Sequence, residues 1–391
     1  MKITEVTPIC LRYTYNEPIM DGCNTCKKRE AFLLQVKTDV GIEGIGEAAT
    51  FGLPLSAFKA VLEGSIAPLI IGENPLDIEF LWERLLKTCY AGGRNGIVRG
   101  VASAVDIALW DILGKSYNKP VFQLLGAERD RIPAYASAGF YQKGKTPDDL
   151  KREFTSYMDR GYKVFKMKVG RTKENYSRFL RFIPDKDAII SQAEDRERVQ
   201  AVRGVIGKDT QLMLDMNGMW DECILEEEID FLREMKIFAV EEPMLLTDTE
   251  SYVRITNILR PILRAAGENV QGLSQYKSLI EGNVLDLVQA NLGWSGGITE
   301  GKRIADFTAQ HGKLFAPHSF FSAVLTAANV HLSASLMNVP FIEAEENPNP
   351  LRDELVKEPI PRDRDMAYIL TDAPGLGVEL DERVVERYFV R

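Results

Sequence analysis

Short apolar runs, each closed by a polar residue that a strand core would not want, recur along this chain from about Arg131 onward. They are Tyr135–Gly139, Val164–Lys168, Leu212–Asn217, Phe238–Glu242, Ile262–Glu268, Leu285–Asn291, Leu314–His318 and Phe341–Glu343. Between most of them lie about 15 residues with helical spacing, as at Leu225, Ile229, Phe231 and Leu232, or at Ile304, Phe307 and Ala309. The polar ends keep a near-constant distance. Asp215 to Glu241 is 26 residues, Glu241 to Glu268 is 27, Glu268 to Asn291 is 23, Asn291 to His318 is 27 and His318 to Glu343 is 25. A strand, a loop, a helix and a return loop consume about that many residues. Eight strands alternating with helices predict a parallel barrel whose catalytic groups gather at the C-terminal strand ends. A doubly wound sheet gives similar spacing, so spacing alone leaves both open. The one long gap, Lys168 to Asp215, holds a charged stretch, Arg171 to Arg203, that reads as a longer helix or an insert.

The first third reads differently. Ala31–Lys37 and Ile42–Glu47 are two strand-forming runs joined by a turn at Asp39–Gly41, a hairpin signal. Gly41, Gly44 and Gly46 are not a dinucleotide-binding fingerprint, because the spacing is wrong and no helix start follows. From Leu76 to about Gly126 the period becomes helical, first at Leu81, Trp82, Leu85 and Leu86, then at Val101, Val105, Ala108, Leu109, Ile112 and Leu113. Gly114 and Pro120 punctuate the end of that second helix.

Composition sets bounds on this picture. At ~150 residues per domain, 391 residues imply two or three domains, or one large domain with an attachment, and a core that needs no disulfides. Acids outnumber bases 57 to 48, a net charge of −9, which argues against nucleic acid and anionic membrane surfaces as partners. No apolar run approaches the ~20 residues of a membrane span. The N-terminus carries Glu5 and no apolar signal region, so a cytoplasmic location is expected. The five cysteines are too few and too scattered for a disulfide framework. Cys23 and Cys26 form a CxxC that would be half a zinc site, but no second ligand pair exists, so they read as two thiols in an N-terminal loop.

Three acids at consecutive strand ends, Asp215, Glu241 and Glu268, suit a hard divalent cation, since three inward carboxylates without one repel strongly. Lys166 and Lys168 alternate onto the same side of their strand. Two ammonium groups that close, near a metal, predict that one is pushed toward the neutral form and can act as a general base. His318 is the strand-end histidine, while His311 and His331 fall in helical stretches and read as ordinary.

These residues resemble the enolase superfamily in its mandelate racemase/muconate lactonizing enzyme branch, nearly end to end. The resemblance is carried by Gly44–Glu47, Asp106–Asp111 with Gly114 and Lys115, Pro120–Gly126, Lys166-x-Lys168, Asp215–Asn217, Glu241–Pro243, Gly267–Glu268, Gly296–Thr299, Pro317–Ser319 and Pro374–Gly377. It implies an α/β fold: a (β/α)7β barrel over about 127–350, with an α+β capping domain made of residues 1–126 and completed by 351–391. It implies Mg²⁺ held by Asp215, Glu241 and Glu268 against a substrate carboxylate. It gives Lys168 as base, Lys166 beside the carboxylate, and Glu343 as a hydrogen-bonding partner of that carboxylate. Asn217 would contact substrate oxygen, and cap loops around Tyr15 to Asn24, with Asn24 itself, and Thr50 to Leu53 would close the mouth and choose the substrate, with Tyr90 and Arg94 as further cap candidates. Such proteins are usually homo-oligomers. One departure matters: where the branch pairs its histidine with an aspartate, this chain has Asn291. Asparagine can orient the imidazole through its carbonyl but cannot hold an imidazolium by charge. Lys168 is therefore expected to be the main base and His318 an acid or donor, which favours dehydration of a sugar acid to a 2-keto-3-deoxy acid over racemisation, epimerisation or lactone cycloisomerisation. A catalytically silent binding barrel is the non-enzymatic alternative, disfavoured by the intact acids and lysines.

Overall fold

The computed structural model describes residues 1–88, 95–127, 129–176 and 186–390. Eight strands form one parallel sheet: β5 Ala134–Ala138, β6 Val164–Lys168, β7 Gln211–Asp215, β8 Ala239–Glu241, β9 Leu263–Ala266, β10 Leu287–Val288, β11 Leu314–Phe315 and β12 Ile342–Glu345. Their order is β11-β10-β9-β8-β7-β6-β5-β12, so the last strand lies beside the first and the sheet curls into a barrel. The ladder is open between β11 and β12, where Phe315 N–H instead donates to Asn338 O. Closure is visible in the interior. Tyr135, Met213, Ala239, Ala265, Leu287, Ala316 and Phe341, from seven different strands or their ends, form a single buried cluster. Small and large side chains alternate there, as the inside of an eight-stranded barrel requires. β6 matches its expected run residue for residue and Asp215 and Glu241 end β7 and β8, whereas Glu268, Asn291 and His318 lie two or three residues past β9, β10 and β11 and Glu343 lies within β12.

The long gap between Lys168 and Asp215 resolves in part into a helix, Gln192–Ile206, opened by a capping box in which Ser191 and Glu194 satisfy each other's backbone N–H groups. It packs against the helix Pro147–Arg160 on the outside of the barrel.

The cap is built on an antiparallel sheet of β1 Ile3–Met20, β2 Thr25–Thr38 and β3 Glu43–Ala48. The hairpin read from sequence is β2–β3, and the 18-residue β1 that pairs with it was not foreseen. Helices Ile78–Thr88 and Ile97–Ser116 cover this sheet, and Phe32, Leu34, Val36, Phe58, Leu62, Leu81, Val101, Val105 and Ile112 make a second core separate from the barrel's. The glycines of β3 have a packing purpose. A Cβ on Gly46 would sit 1.9 Å from Ala104 O, and one on Gly44 2.2 Å from Ala108 O, so β3 lies directly on the backbone of the helix Ile97–Ser116. Gly114 does not end that helix as expected. It is buried within it, where the C-terminal segment crosses, with Gly375 Cα 2.6 Å from where its Cβ would be.

The C-terminal segment returns along this seam. β13 Tyr368–Ile369 pairs with β4 Arg131–Ile132, and Val390 N–H donates to Cys10 O on β1. His331, buried on the barrel helix Ala323–Ala334, joins three segments: Nδ1 accepts from Phe122 N–H at 3.1 Å and Nε2 donates to Leu376 O at 3.0 Å. Among the described residues no helix is long and apolar enough to cross a membrane.

Two tests follow from this packing. Gly46→Ala places a methyl against fixed backbone and is expected to destabilise by about 3 kcal/mol, whereas Gly64→Ala, where a Cβ meets nothing within 4 Å, leaves stability unchanged or raised; urea unfolding midpoints compare them. Burial lowers the His331 pKa to about 4, so the folded protein keeps it neutral while the unfolded chain takes a proton near pH 6.5. Its contribution is complete above pH 6.5 and falls away toward pH 4, a loss of roughly 3 kcal/mol. His331→Gln is expected to flatten that part of the stability–pH curve.

Candidate active site

The parallel register sets the site. Lys168 lies beside Asp215, and Asp215 beside Glu241, on β6, β7 and β8. Lys166 Nζ, 1% exposed, lies 2.8 Å from both Glu241 carboxylate oxygens, 2.9 Å from Glu343 Oε1 and 3.6 Å from Asp215 Oδ2. Lys168 Nζ donates to Asp215 Oδ2. Rings cover both ammonium groups, Tyr135 at 5.5 Å from Lys166 and Phe140 at 5.2 Å from Lys168.

The expectation of a neutral lysine is not met in this arrangement. Burial does drive both lysines toward neutrality, but Glu241 and Glu343 around Lys166, and Asp215 beside Lys168, outweigh it and hold both charged. Repulsion between the lysines and a cation pointed to neutrality, and the carboxylates on their other side reverse it. Those carboxylates are themselves in excess. Burial, and Asp215 next to it, push Glu241 up to about 8, and burial together with Glu268 and Asp215 raises Glu242 well above the carboxylate range. Burial also opposes ionisation of Glu343, but Lys166, His318 and the Ser319 N–H prevail and keep its carboxyl low.

The site is thus rich in oxygen donors and short of positive charge, which is the chemistry of a hard-cation site. Two buried side-chain oxygens in the same region, Asn217 Oδ1 and Gln289 Oε1, have no hydrogen-bond partner. Asp215, Glu241 and Glu268 therefore fit a divalent ion by donor type. They do not stand in a ligating cluster: among the described residues no group of three His, Cys, Asp or Glu side chains is close enough together to hold one. The ammonium groups and His318 occupy them instead, with His318 Nε2 3.1 Å from Glu268 Oε2.

His318 follows β11 and is nearly buried. Asn291 reaches it with its side-chain amide, placed with Nδ2 2.8 Å from Nδ1 and with Oδ1 buried without a partner; turning the amide over satisfies that oxygen and sets the carbonyl against the ring. The Glu268 carboxylate, 3.1 Å from Nε2, can only accept, so a proton sits on Nε2. That proton makes His318 a donor toward the cavity.

A cavity of about 460 Å³ opens over these groups, lined by Lys168, Asn217, Glu268, His318 and Glu343 from the barrel. The cap supplies the turn Asp21–Asn24 with the start of β2, and Thr50–Gly52. Asn24, in that turn, lines the cavity as expected; Lys166, Asp215, Glu241 and Asn291 lie beneath it. Tyr90 and Arg94 lie outside the described residues. Cys26 lines the cavity and Cys23 sits in the same turn, where it accepts from Asn24 Nδ2 at 3.0 Å.

Of four phenylalanines that line the cavity, Phe51 lies in the Thr50–Leu53 loop expected to close the mouth, and Phe140, Phe320 and Phe321 were missed. Phe51 stacks on His318 with centroids 6.0 Å apart, Phe321 meets it edge-on at 6.2 Å, and Phe320 and Phe140 complete an apolar wall. Nothing in the sequence context of Phe140, Phe320 and Phe321 marks them. Gln289 was also missed: its Nε2 donates to Glu241 Oε2 at 2.6 Å, and its shared parity with Asn291 was the available signal. A larger cavity, about 560 Å³, lies against the C-terminal segment among Arg160, Arg352 and Arg362. None of the groups above line it, and Glu345 and Glu346 engage its guanidinium groups.

The loop carrying His318 and two of these phenylalanines is fixed by the cap. Glu47, fully buried on β3, accepts from Ser322 N–H at 3.0 Å, Ser322 Oγ at 2.6 Å and Leu325 N–H at 2.9 Å, at the N-terminus of the helix Ala323–Ala334. Asp106 does the same for the next barrel helix back, accepting from Thr299 N–H at 2.9 Å in Gly297–Gln310.

A curled parallel barrel with lysines and acids at its strand ends, closed by a cap from both chain termini, defines a class of barrel enzymes. Residues 149–384 match the family described as enolase C-terminal domain-like, and residues 3–126 match the mandelate racemase/muconate lactonizing enzyme N-terminal domain. The chain belongs to that branch of the enolase superfamily. It is 30% identical to the arabinonate dehydratase of Saccharolobus solfataricus over 92% of this chain and 90% of that one. The L-talarate/galactarate dehydratase of Salmonella typhimurium is 31% identical over 90% of this chain and 80% of its own; its crystal structure liganded with Mg and L-lyxarohydroxamate aligns with a TM-score of 0.85 at 26% identity, covering 100% and 93% of the two chains. The D-galactarolactone cycloisomerase of Agrobacterium fabrum is 27% identical over 99% of both chains. A member of the enolase superfamily from Polaromonas sp. JS666 aligns at a TM-score of 0.88 with 31% identity, over 100% and 98%.

Glu47→Ala would leave two buried N–H groups without an acceptor, and is expected to cost about 3 kcal/mol. Glu47→Gln keeps an acceptor and is expected to cost less than half of that in the same unfolding measurement.

Proposed function

We propose that this protein removes the proton next to a substrate carboxylate and then expels water from the neighbouring carbon, dehydrating a sugar acid to a 2-keto-3-deoxy acid. The observation that carries the reading is the placement of Lys168 and His318 in one cavity, an amine on β6 and an Nε2–H donor after β11, with the acids beneath them. Arabinonate and talarate/galactarate dehydratases among its relatives support the sugar-acid class.

Each side chain has a distinct task. Lys168 accepts the α-proton, which requires it to arrive neutral and its contact with Asp215 to loosen. Lys166 stays charged and stabilises negative charge as it spreads onto the carboxylate oxygens. Glu343 orients that end of the substrate. His318, protonated on both nitrogens with the Asn291 amide turned so that Oδ1 accepts from Nδ1–H, gives its Nε2 proton to the departing hydroxyl; water leaves, the imidazole ends neutral, and an enol remains that tautomerises to the keto acid. Asn217 and Asn24 offer hydrogen bonds to hydroxyl groups. Asp215, Glu241 and Glu268 would hold Mg²⁺, which supplies positive charge beside the substrate carboxylate and so acidifies the α-proton; the magnesium-bound talarate/galactarate dehydratase supports that choice of ion.

The second reading is isomerisation, favoured by the cycloisomerase relative and by functional groups on both sides of the cavity. A racemase needs His318 as a base, and an amide at Nδ1 supplies no charge to hold the imidazolium.

Arabinonate, galactonate and galactarate, incubated in deuterated water with and without Mg²⁺, separate these outcomes. Semicarbazide-reactive keto acid is expected from dehydration only, lost on chelation and restored by Mg²⁺. Lys168→Ala is expected to lower turnover by about 10²–10⁴-fold and abolish α-deuterium incorporation, while His318→Asn keeps incorporation and loses product. Incorporation that survives Lys168→Ala and vanishes in His318→Asn would reverse the roles.

A further inference from the structure

The charged stretch after Lys168 builds a buried network that the reaction itself does not use. Asp195 and Arg198, both nearly inaccessible, lie on the helix Gln192–Ile206 behind β5 and β6. Asp195 Oδ2 accepts from Gly170 N–H at 2.8 Å, and its Oδ1 accepts from Tyr141 Oη at 2.7 Å and Arg198 Nη1 at 2.6 Å. Arg198 donates to Lys168 O at 3.2 Å and Gly139 O at 2.7 Å, with its guanidinium 3.7 Å above the Tyr141 ring. Tyr141 Oη accepts from Arg171 N–H at 3.1 Å. The Tyr141 backbone pairs both ways with Met20, at 2.8 and 2.9 Å, just before the cap turn that lines the cavity.

The endpoints are specific. Gly139 and Gly170, past the ends of β5 and β6, take φ of 67° and 93°, so the chain turns away and its N–H and C=O groups leave the ladder. The network satisfies Gly170 N–H and Gly139 C=O and takes hold of the Lys168 carbonyl, while Gly139 N–H goes to Glu153 and Gly170 C=O to Asn175. Burying an aspartate and an arginine is costly, and apolar side chains would fill the same space. What the polar network adds is orientation.

We propose that Tyr141, Asp195 and Arg198 are positioning residues that fix the backbone of Lys168, aim its ammonium group into the cavity, and register it against the cap turn at Met20–Asn24. This rests on Lys168 being the base.

Tyr141→Phe, which removes one hydroxyl, and Arg198→Lys, which keeps charge but loses the fork to two carbonyls, test it in the full-length protein. Turnover is measured with arabinonate and galactarate, and amide hydrogen exchange is followed by peptide. The expected result is a tenfold or greater fall in kcat with KM within twofold, together with tenfold faster exchange confined to 164–172 and 137–142. Unchanged exchange in those segments, equal changes in KM and kcat, or acceleration spread over the whole chain would each overturn the proposal. Exchange needs no substrate, so it tests the backbone contacts even if neither acid is turned over. A fully active Lys168→Ala would remove the base assignment, whereas wild-type kcat in both network variants beside an inactive Lys168→Ala would remove only the positioning role.

Discussion

The structure is organised around a set of charges that water is not allowed to screen. Lys166 and Lys168 face Asp215, Glu241 and Glu343 in the barrel mouth, all with almost no exposure. Isolated, any one of these groups would neutralise and not stay buried as an ion. Together they hold each other, because the parallel register places Lys168, Asp215 and Glu241 side by side. The carboxyls still outnumber the ammonium groups, which is why burial and its neighbours lift Glu241 out of the normal range. A site with that imbalance favours added positive charge. The same dryness makes each electrostatic contact stronger than it would be in solvent.

Keeping that mouth dry is the work of the cap, and the cap is held by polar anchors at long sequence range. Glu47 and Asp106, from the N-terminal third, each complete the N-terminus of a barrel helix, one following His318 and the other following Asn291. Burial raises both carboxyls to about 7, so each sits where even an ordinary acid is reluctant to ionise. Asp111 receives Ile45 N–H and Leu376 N–H together, so one carboxylate binds β3 and the C-terminal segment to the same helix. The chain ends are therefore not ornaments of the barrel. The loop that carries His318 depends on a glutamate from the far end of the chain.

The parts of this arrangement that were legible in the sequence are those with a period. The interval between polar strand ends located Asp215, Glu241, Glu268, Asn291, His318 and Glu343, because each barrel unit must spend a similar length of chain. The resemblance then assigned their tasks. What stayed hidden depends on distance across the fold. The charge state of the lysines turned on carboxylates from three other strands. Gly114 looked like a helix stop because glycine usually is one, and only the crossing of Gly375 reveals its purpose. The strand β1 was overlooked because its exposed positions carry charges and its length exceeds any ordinary strand.

The two walls of the cavity are built differently, and that difference bears on how a family can change substrate without changing chemistry. On the His318 side stand phenyl rings of Phe51, Phe320 and Phe321, which offer contact area and no hydrogen bonds. On the Lys168 side, beyond the Phe140 ring that covers its ammonium group, the cap turn and the start of β2 offer Asp21, Asn24, Thr25 and Lys28. A polyol has a face of C–H groups and an edge of hydroxyls, and a cavity with one apolar and one polar wall distinguishes its two orientations. In the dehydration proposed above, the proton to be removed would face Lys168 and the leaving hydroxyl His318, so orientation would decide which stereocentre reacts. Substitution along a hairpin turn can alter that choice while the barrel's charged floor, fixed by strand register, stays as it is. On the proposed function, selectivity would rest on the part of the protein with the fewest ladder constraints, and proton transfer on the part with the most.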